Sequence, residues 1–130
     1  MHNRKEAVYN DFIADVIADM KECVQIAQTA GLANDKIILD PGIGFAKTTE
    51  ENLKLMNHLE DLVALGYPVL LGTSRKSMIG NTLNLPVDER EEGTMATSVL
   101  GLVKGCSFFR VHDVKKNVRA LAMTDAMLKA

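Results

Sequence analysis

Residues 67–80 read YPVLLGTSRKSMIG, and their reading decides the fold. The run from Pro68 to Gly72, with Val-Leu-Leu at its centre, has the character of a buried strand. A strand that is apolar along its whole length is covered on both faces, as in parallel sheets. It runs without a spacer into Ser74, Arg75, Lys76 and Ser77, and a helical turn is expected over 76–80. Strand, charged turn and helix start form one unit, and the rest of the chain can be searched for others like it.

Two more are found. KIILD at 36–40 is a short β-branched run ending at Asp40-Pro41-Gly42, a strong breaker, and SFFRV at 107–111 continues into His112 and Asp113. Helical periodicity fills the intervals. Phe12, Ile13, Val16, Ile17, Met20, Val24 and Ala27 line one face of a helix expected over 5–30, which Gly31 stops. Thr48 and Glu51 have capping-box spacing before a helix over 49–65, with Leu55, Leu59, Leu62 and Val63 inward. Asp88 and Glu91 repeat that spacing before a helix over 89–104, with Met95, Ala96, Val99, Leu102 and Val103 on one stripe. Asp113 caps a last helix carrying Val114, Val118, Leu121 and Leu128.

The alternation of strands and helices implies α/β architecture with parallel pairing and right-handed crossovers. Three strands are few for a closed domain, and the chain opens directly before a helix. A larger object is therefore expected, either an open doubly wound sheet or an eight-stranded α/β barrel.

Composition narrows the function. The 130 residues carry 47% hydrophobic and 25% charged side chains, values of a globular chain rather than a disordered one. A net charge of -2 gives no global attraction for nucleic acid. No apolar run has membrane length, and no signal peptide is expected, so the expected location is cytoplasmic. Cys23 and Cys106 are expected to be buried reduced thiols. His2, His58 and His112 lack metal-ligand spacing, and no metal site is expected in this segment. His58 reads as a surface residue in mid-helix.

Ionisable residues gather where each strand ends: Asp40, then Arg75 and Lys76, then Arg110 and His112. In barrels and open sheets alike, ligand sites lie at this C-terminal edge. Two readings of Asp40 stand side by side, a turn residue or a carboxylate accepting two hydrogen bonds from a ligand. Gly42 and Gly44 permit close backbone approach, and Phe45 is either core or an aromatic wall. Arg75 and Lys76, after a serine and at a helix start, suit an anion better than bulk solvent. Arg110 and His112 alternate and so share one side of their strand, an arrangement suited to phosphate or pyrophosphate.

LDPGIGFAK at 39–47, GTSRKSMIG at 72–80 and FRVHDV at 109–114, in this order, resemble the signatures of dihydropteroate synthase strands six, seven and eight. The opening MHNR resembles the segment closing strand five of that family. The resemblance implies a (β/α)8 TIM barrel of the pterin-binding class, of which residues 1–130 would form the C-terminal half. It implies condensation of 6-hydroxymethyl-7,8-dihydropterin pyrophosphate with p-aminobenzoate, releasing pyrophosphate in folate biosynthesis, with sulfonamides as inhibitors. By the same resemblance Asp40, Lys76, Arg110, Gly72 and Met1 would meet the pterin. Phe45, Ser77 and Arg75 would serve p-aminobenzoate, and Arg110 with His112 would hold pyrophosphate. Lys76, Arg110 and His112 would be the catalytic set. Magnesium is implied as cofactor, with its ligand in the N-terminal half, and a homodimer through the last helices is implied. The alternative is the pterin-binding module of a folate-dependent methyltransferase, which shares the barrel but has no synthase activity.

Overall fold

A computed structural model describes residues 4–130. Met1 and His2, considered above, lie outside the described residues. Among the described residues six helices, α1 (Arg4–Thr29), α2 (Thr49–Asn57), α3 (Leu59–Val63), α4 (Ser77–Leu83), α5 (Glu91–Val103) and α6 (Val114–Leu128), accompany two short strands, β1 (Leu70–Leu71) and β2 (Phe108–Phe109). The strands pair in parallel, Leu70 opposite Phe108 and Leu71 opposite Phe109. The expected strand at 36–40 contributes only a parallel bridge from Leu39 to Val69, because a 3-10 turn at Asn34–Lys36 precedes it. Three parallel segments in the expected order therefore stand side by side.

Their side chains divide by parity. Ile37, Leu39, Val69 and Leu71 are buried against the helices, with Phe109 packed on the same core. On the other face Ile38 and Phe108 are exposed and Leu70 is half-buried. This chain covers one face of the three segments and leaves the other open, in keeping with three strands that belong to a larger object. The core also takes in Ile13 and Val16 of α1, Leu55 and Met56 of α2, Leu59 and Leu62 of α3, Met78 and Ile79 of α4, and Ile43 and Cys106. Burial of α1 and of the 49–65 segment follows the periodicity closely. The single helix expected there is broken at His58, which ends α2 and precedes α3. His58 is half-buried rather than a mid-helix surface residue, with Nδ1 3.4 Å from the Asp61 carboxylate. Thr48 forms the expected capping box: its hydroxyl accepts the Glu51 N–H at 3.1 Å while Glu51 accepts the Thr48 N–H at 2.9 Å.

The second half departs further. Asp88 falls in a 3-10 turn at Val87–Glu89, Arg90 precedes α5, and no side chain caps it. The buried residues of α5 are Thr94, Ser98 and Gly101, while Ala96 and Val103 are exposed and Met95, Val99 and Leu102 half-buried. A Cβ on Gly101 would lie 2.5 Å from Leu71 Cδ2 and 3.1 Å from Phe109 Cε1, so glycine lets α5 rest directly on the strands. Asp113 caps α6 as expected, accepting the Lys116 N–H at 3.0 Å. Yet α6 buries Asn117 and Thr124, while of the four apolar residues read on it Val114, Val118 and Leu128 are exposed and Leu121 is half-buried. The physical reason is a polar seam. Ser98 Oγ donates to Asn117 Oδ1 at 3.0 Å, and Asn117 Nδ2 donates to Glu91 at 2.7 Å and to the Asp113 carbonyl at 2.8 Å. Buried amides are tolerated when both ends are satisfied.

The cysteines also part company. Cys106 is buried, and burial pushes its thiol up to about 11, whereas Cys23 is exposed, contrary to expectation. Iodoacetamide should therefore alkylate Cys23 in the native protein and spare Cys106, with both labelled after unfolding. Peptide mass spectrometry checks this; native labelling of Cys106 would contradict the packing around it.

Candidate active site

A cavity of about 390 Å3 opens where the three parallel segments end. Asp40 and Phe45 come from the first loop, Ser74 and Lys76 from the second, Arg110 and His112 from the third, and Leu70 with Gly72 forms the floor. The pleat puts them there, because residues spaced by two share a side and the opposite side is occupied by the core. A cavity of about 400 Å3 lies at the other end of the segments, beside Asn34, Asp35 and Tyr67, but no cation lines it. Charge complementarity is therefore found at the C-terminal edge.

Asp40 serves the turn and the cavity together. Its Oδ1 accepts the Gly42 N–H at 2.8 Å, while its exposed carboxylate faces the cavity and stands close enough to Lys76 to act on its charge. Lys76 reaches across from the second loop, and its Nζ donates to the Ile43 carbonyl. That Nζ lies 4.8 Å from the centre of the Phe45 ring. Phe45 is 69% exposed, which removes the core reading and leaves the wall. The glycines of this loop make room for lysines. A Cβ on Gly44 would meet Lys76 Cδ at 3.0 Å, and one on Gly42 would meet Lys47 Nζ at 3.3 Å. Gly42 and Gly44 both have positive φ, 72° and 92°. Lys47 turns back to the Gly42 and Phe45 carbonyls, at 3.0 and 3.3 Å.

On the far wall, Ser74 Oγ lies 2.7 Å from His112 Nδ1 and also accepts the His112 backbone N–H at 3.1 Å. Nδ1 is thus engaged by the protein, which leaves Nε2 as the nitrogen for a ligand. A Cβ on Gly72 would meet nothing closer than Arg110 Cβ at 3.9 Å, so its missing side chain serves the cavity floor rather than chain packing.

Ser77 and Arg75 do not line this cavity. Ser77 begins α4, and Arg75 turns toward α5, its Nε 4.0 Å from a Glu91 carboxylate oxygen. Arg75 is left-handed, with φ 59°, a conformation costing roughly 1 kcal/mol outside glycine. Sequence reasoning missed what holds it. Thr94 Oγ1 accepts the Arg75 N–H at 3.0 Å, and Arg90 donates to the Arg75 carbonyl at 2.9 Å. Thr73 and Thr97 add a hydroxyl pair at 2.6 Å, in which Thr97 already donates to the Thr94 carbonyl, so Thr73 is the donor between them.

Among the described residues no three His, Cys, Asp or Glu side chains are grouped to hold a metal. One carboxylate beside a lysine and an arginine is not a donor set for a hard divalent cation.

Residues 1–112 match the family model of pterin binding enzymes. The chain belongs to that family. It is 58% identical over 130 residues to the dihydropteroate synthase of Clostridium beijerinckii, covering 99% of this chain and 48% of the relative. It is likewise 58% identical to that of Bacillus subtilis over 128 residues, covering 98% and 45%. The chain thus spans about half the length of the curated relatives it matches. Among solved structures, a Coxiella burnetii dihydropteroate synthase in complex with pteroic acid superimposes with TM-score 0.89 at 40% identity, over 92% of this chain and 44% of that one. A Yersinia pestis dihydropteroate synthase with a sulfonamide complex gives 0.88 at 36% identity, over 91% and 43%. The architecture is therefore part of a (β/α)8 barrel, as expected.

Burial lowers the pKa of Lys76, reinforced by Arg110 and Lys47 and opposed by Asp40. Between the lowered value and 10.5 the unfolded chain holds a proton that the folded chain has released, so stability rises with pH through that window. The penalty is complete below the folded pKa and gone above the unfolded one. Replacing Lys76→Met should flatten this rise, measured as urea midpoints from neutral pH to 10.5 in both proteins. Parallel curves would refute the burial of the ammonium.

Proposed function

We propose that this chain supplies the C-terminal half of the catalytic barrel of a dihydropteroate synthase. The observation that carries the reading is the convergence of one carboxylate, two cations and an imidazole on a single cavity: Asp40, Lys76, Arg110 and His112. The identity to proteins named dihydropteroate synthase supports it, as do relatives solved with pteroic acid and a sulfonamide. The proposed reaction joins 6-hydroxymethyl-7,8-dihydropterin pyrophosphate to p-aminobenzoate. The aminobenzoate nitrogen forms a bond to the exocyclic pterin carbon, the bond from that carbon to the pyrophosphate oxygen breaks, and the nitrogen loses a proton.

In this reading Asp40 accepts two hydrogen bonds from the guanidine-like edge of the pterin, and Lys76 donates to the ring. Gly72 keeps the floor open, Arg110 covers the pterin face, and Met1 is assigned to the same ligand from the resemblance alone. Phe45 walls the aminobenzoate channel, where sulfonamides would also sit; Ser77 and Arg75 lie outside this cavity and are assigned to the aminobenzoate carboxylate from the resemblance alone. Arg110 and His112 Nε2 receive the charge that develops on pyrophosphate as it leaves. An aniline nitrogen is already nucleophilic, so a cavity rich in cations and poor in bases suits the step. The donor set of this segment does not fit magnesium, and we assign no step to that ion; its ligand belongs with the other half. We also propose a cytoplasmic enzyme that dimerises through α6, whose exposed Val114, Val118 and Met127 fit such a contact.

Asp40→Asn preserves the acceptor that closes the turn but loses the charged second oxygen. In the complete enzyme it should weaken dihydropterin binding by about tenfold or more in calorimetry. Unchanged affinity would remove Asp40 from the pterin site, and binding of methyl-folate without any response to pyrophosphate would favour the methyltransferase module. The 130 residues alone wall the cavity on one side, with Ile38 and Phe108 exposed on the open face. They should show no turnover when purified without the other half, and a product signal by chromatography would disprove that.

A further inference from the structure

The Ser74–Lys76 loop feeds two sides of the cavity, and its middle residue, Arg75, is in the left-handed region. That one backbone conformation sends Ser74 toward His112 and Lys76 toward Ile43 and Phe45. Nothing in the loop's own sequence favours it, since Arg has no affinity for positive φ. It is held from outside. Thr94, fully buried, accepts the Arg75 N–H at 3.0 Å. Arg90 donates to the Arg75 carbonyl at 2.9 Å and to the Leu85 carbonyl at 3.1 Å. Its guanidinium lies across Gly80, where a Cβ would come within 2.2 Å of it, so α4 is shaped to seat this side chain. Glu91 faces the Arg75 guanidinium at 4.0 Å and is itself anchored by Asn117 at 2.7 Å. Backbone N–H, backbone carbonyl and side chain of one residue are thus all engaged from the short stretch 90–94.

We propose that Arg90, Glu91 and Thr94 are positioning residues that clamp Arg75 and thereby set the loop for the aminobenzoate side of the site. The inference rests on the synthase reading above and deepens it. It also predicts which substrate is affected. Asp40 closes its own turn through Gly42, Lys76 is tied to the first loop through Ile43, and Ser74 is held to His112 by two contacts, at 2.7 and 3.1 Å, so the wall for the dihydropterin pyrophosphate keeps its shape when the clamp is loosened. Arg75 and Ser77, assigned to aminobenzoate by the resemblance, have no hydrogen bond to the first loop among the described residues.

The test uses the complete enzyme with Thr94→Val, Thr94→Ser and Arg90→Lys. Valine keeps the volume and removes the acceptor, serine restores the acceptor, and lysine removes the guanidinium fork. Thr94→Val and Arg90→Lys should each raise the KM for p-aminobenzoate about tenfold, with the calorimetric Kd for the dihydropterin pyrophosphate moved less than about threefold. Thr94→Ser should recover most of the loss. A purely structural role would lower the melting temperature without separating the two substrates. Unmoved KM in both altered enzymes, or equal loss of both substrates, overturns the clamp. Should Thr94→Val fail to fold, Arg90→Lys is judged by the same separation. A wild-type enzyme that does not condense the two substrates overturns the synthase reading, and the clamp with it.

Discussion

The two-residue period of three parallel segments is the constraint on which the rest depends. Leu39 bridges Val69, and Leu70 and Leu71 pair with Phe108 and Phe109. This register places Asp40, Gly72, Arg110 and His112 on the face opposite the helical core. A slip of one residue in the first or third segment would turn Asp40 or Arg110 toward the helical core and Leu39 or Phe109 toward the cavity. The apolar packing of Leu39, Val69 and Leu71 is thus what aims the charged groups, although none of the three contributes chemistry of its own.

What was legible in the sequence follows from that period. The three strand positions, the parallel order and the residues at the strand ends could all be read from short apolar runs meeting charges. The Thr48 capping box and the inner face of α1 were equally plain, because both depend on neighbours within one or two turns. The stripes of α5 and α6 were not. A hydrophobic period shows that a helix has two faces and assumes that the apolar one is inward. Here small and hydroxylated residues, Thr94, Ser98 and Gly101, permit close approach, and the Ser98–Asn117–Glu91 seam satisfies the Asn117 amide that enters, while Glu91 Oε2 is left without a hydrogen bond.

The site divides in the same manner. Lys76, Arg110 and His112 announce themselves by position, but their orientation is set by partners far away in the chain. Ser74 meets His112 across 38 residues, and Arg75 meets Thr94 across 19. No local spacing encodes such pairs. Arg75 and Ser77 illustrate the limit: both belong to the right loop, yet neither lines the cavity, because the left-handed turn sends the arginine to α5.

The contact of Gly101 with Leu71 and Phe109 has one more consequence. Since α5 sits on the strands at a distance set by a missing side chain, positions 101 and 71 share a single volume. An added methyl at one is tolerable only where the other has given up atoms, so their substitutions are expected to be epistatic, each harmful alone and less so together. The history of this helix is then written jointly with that of the strand beneath it.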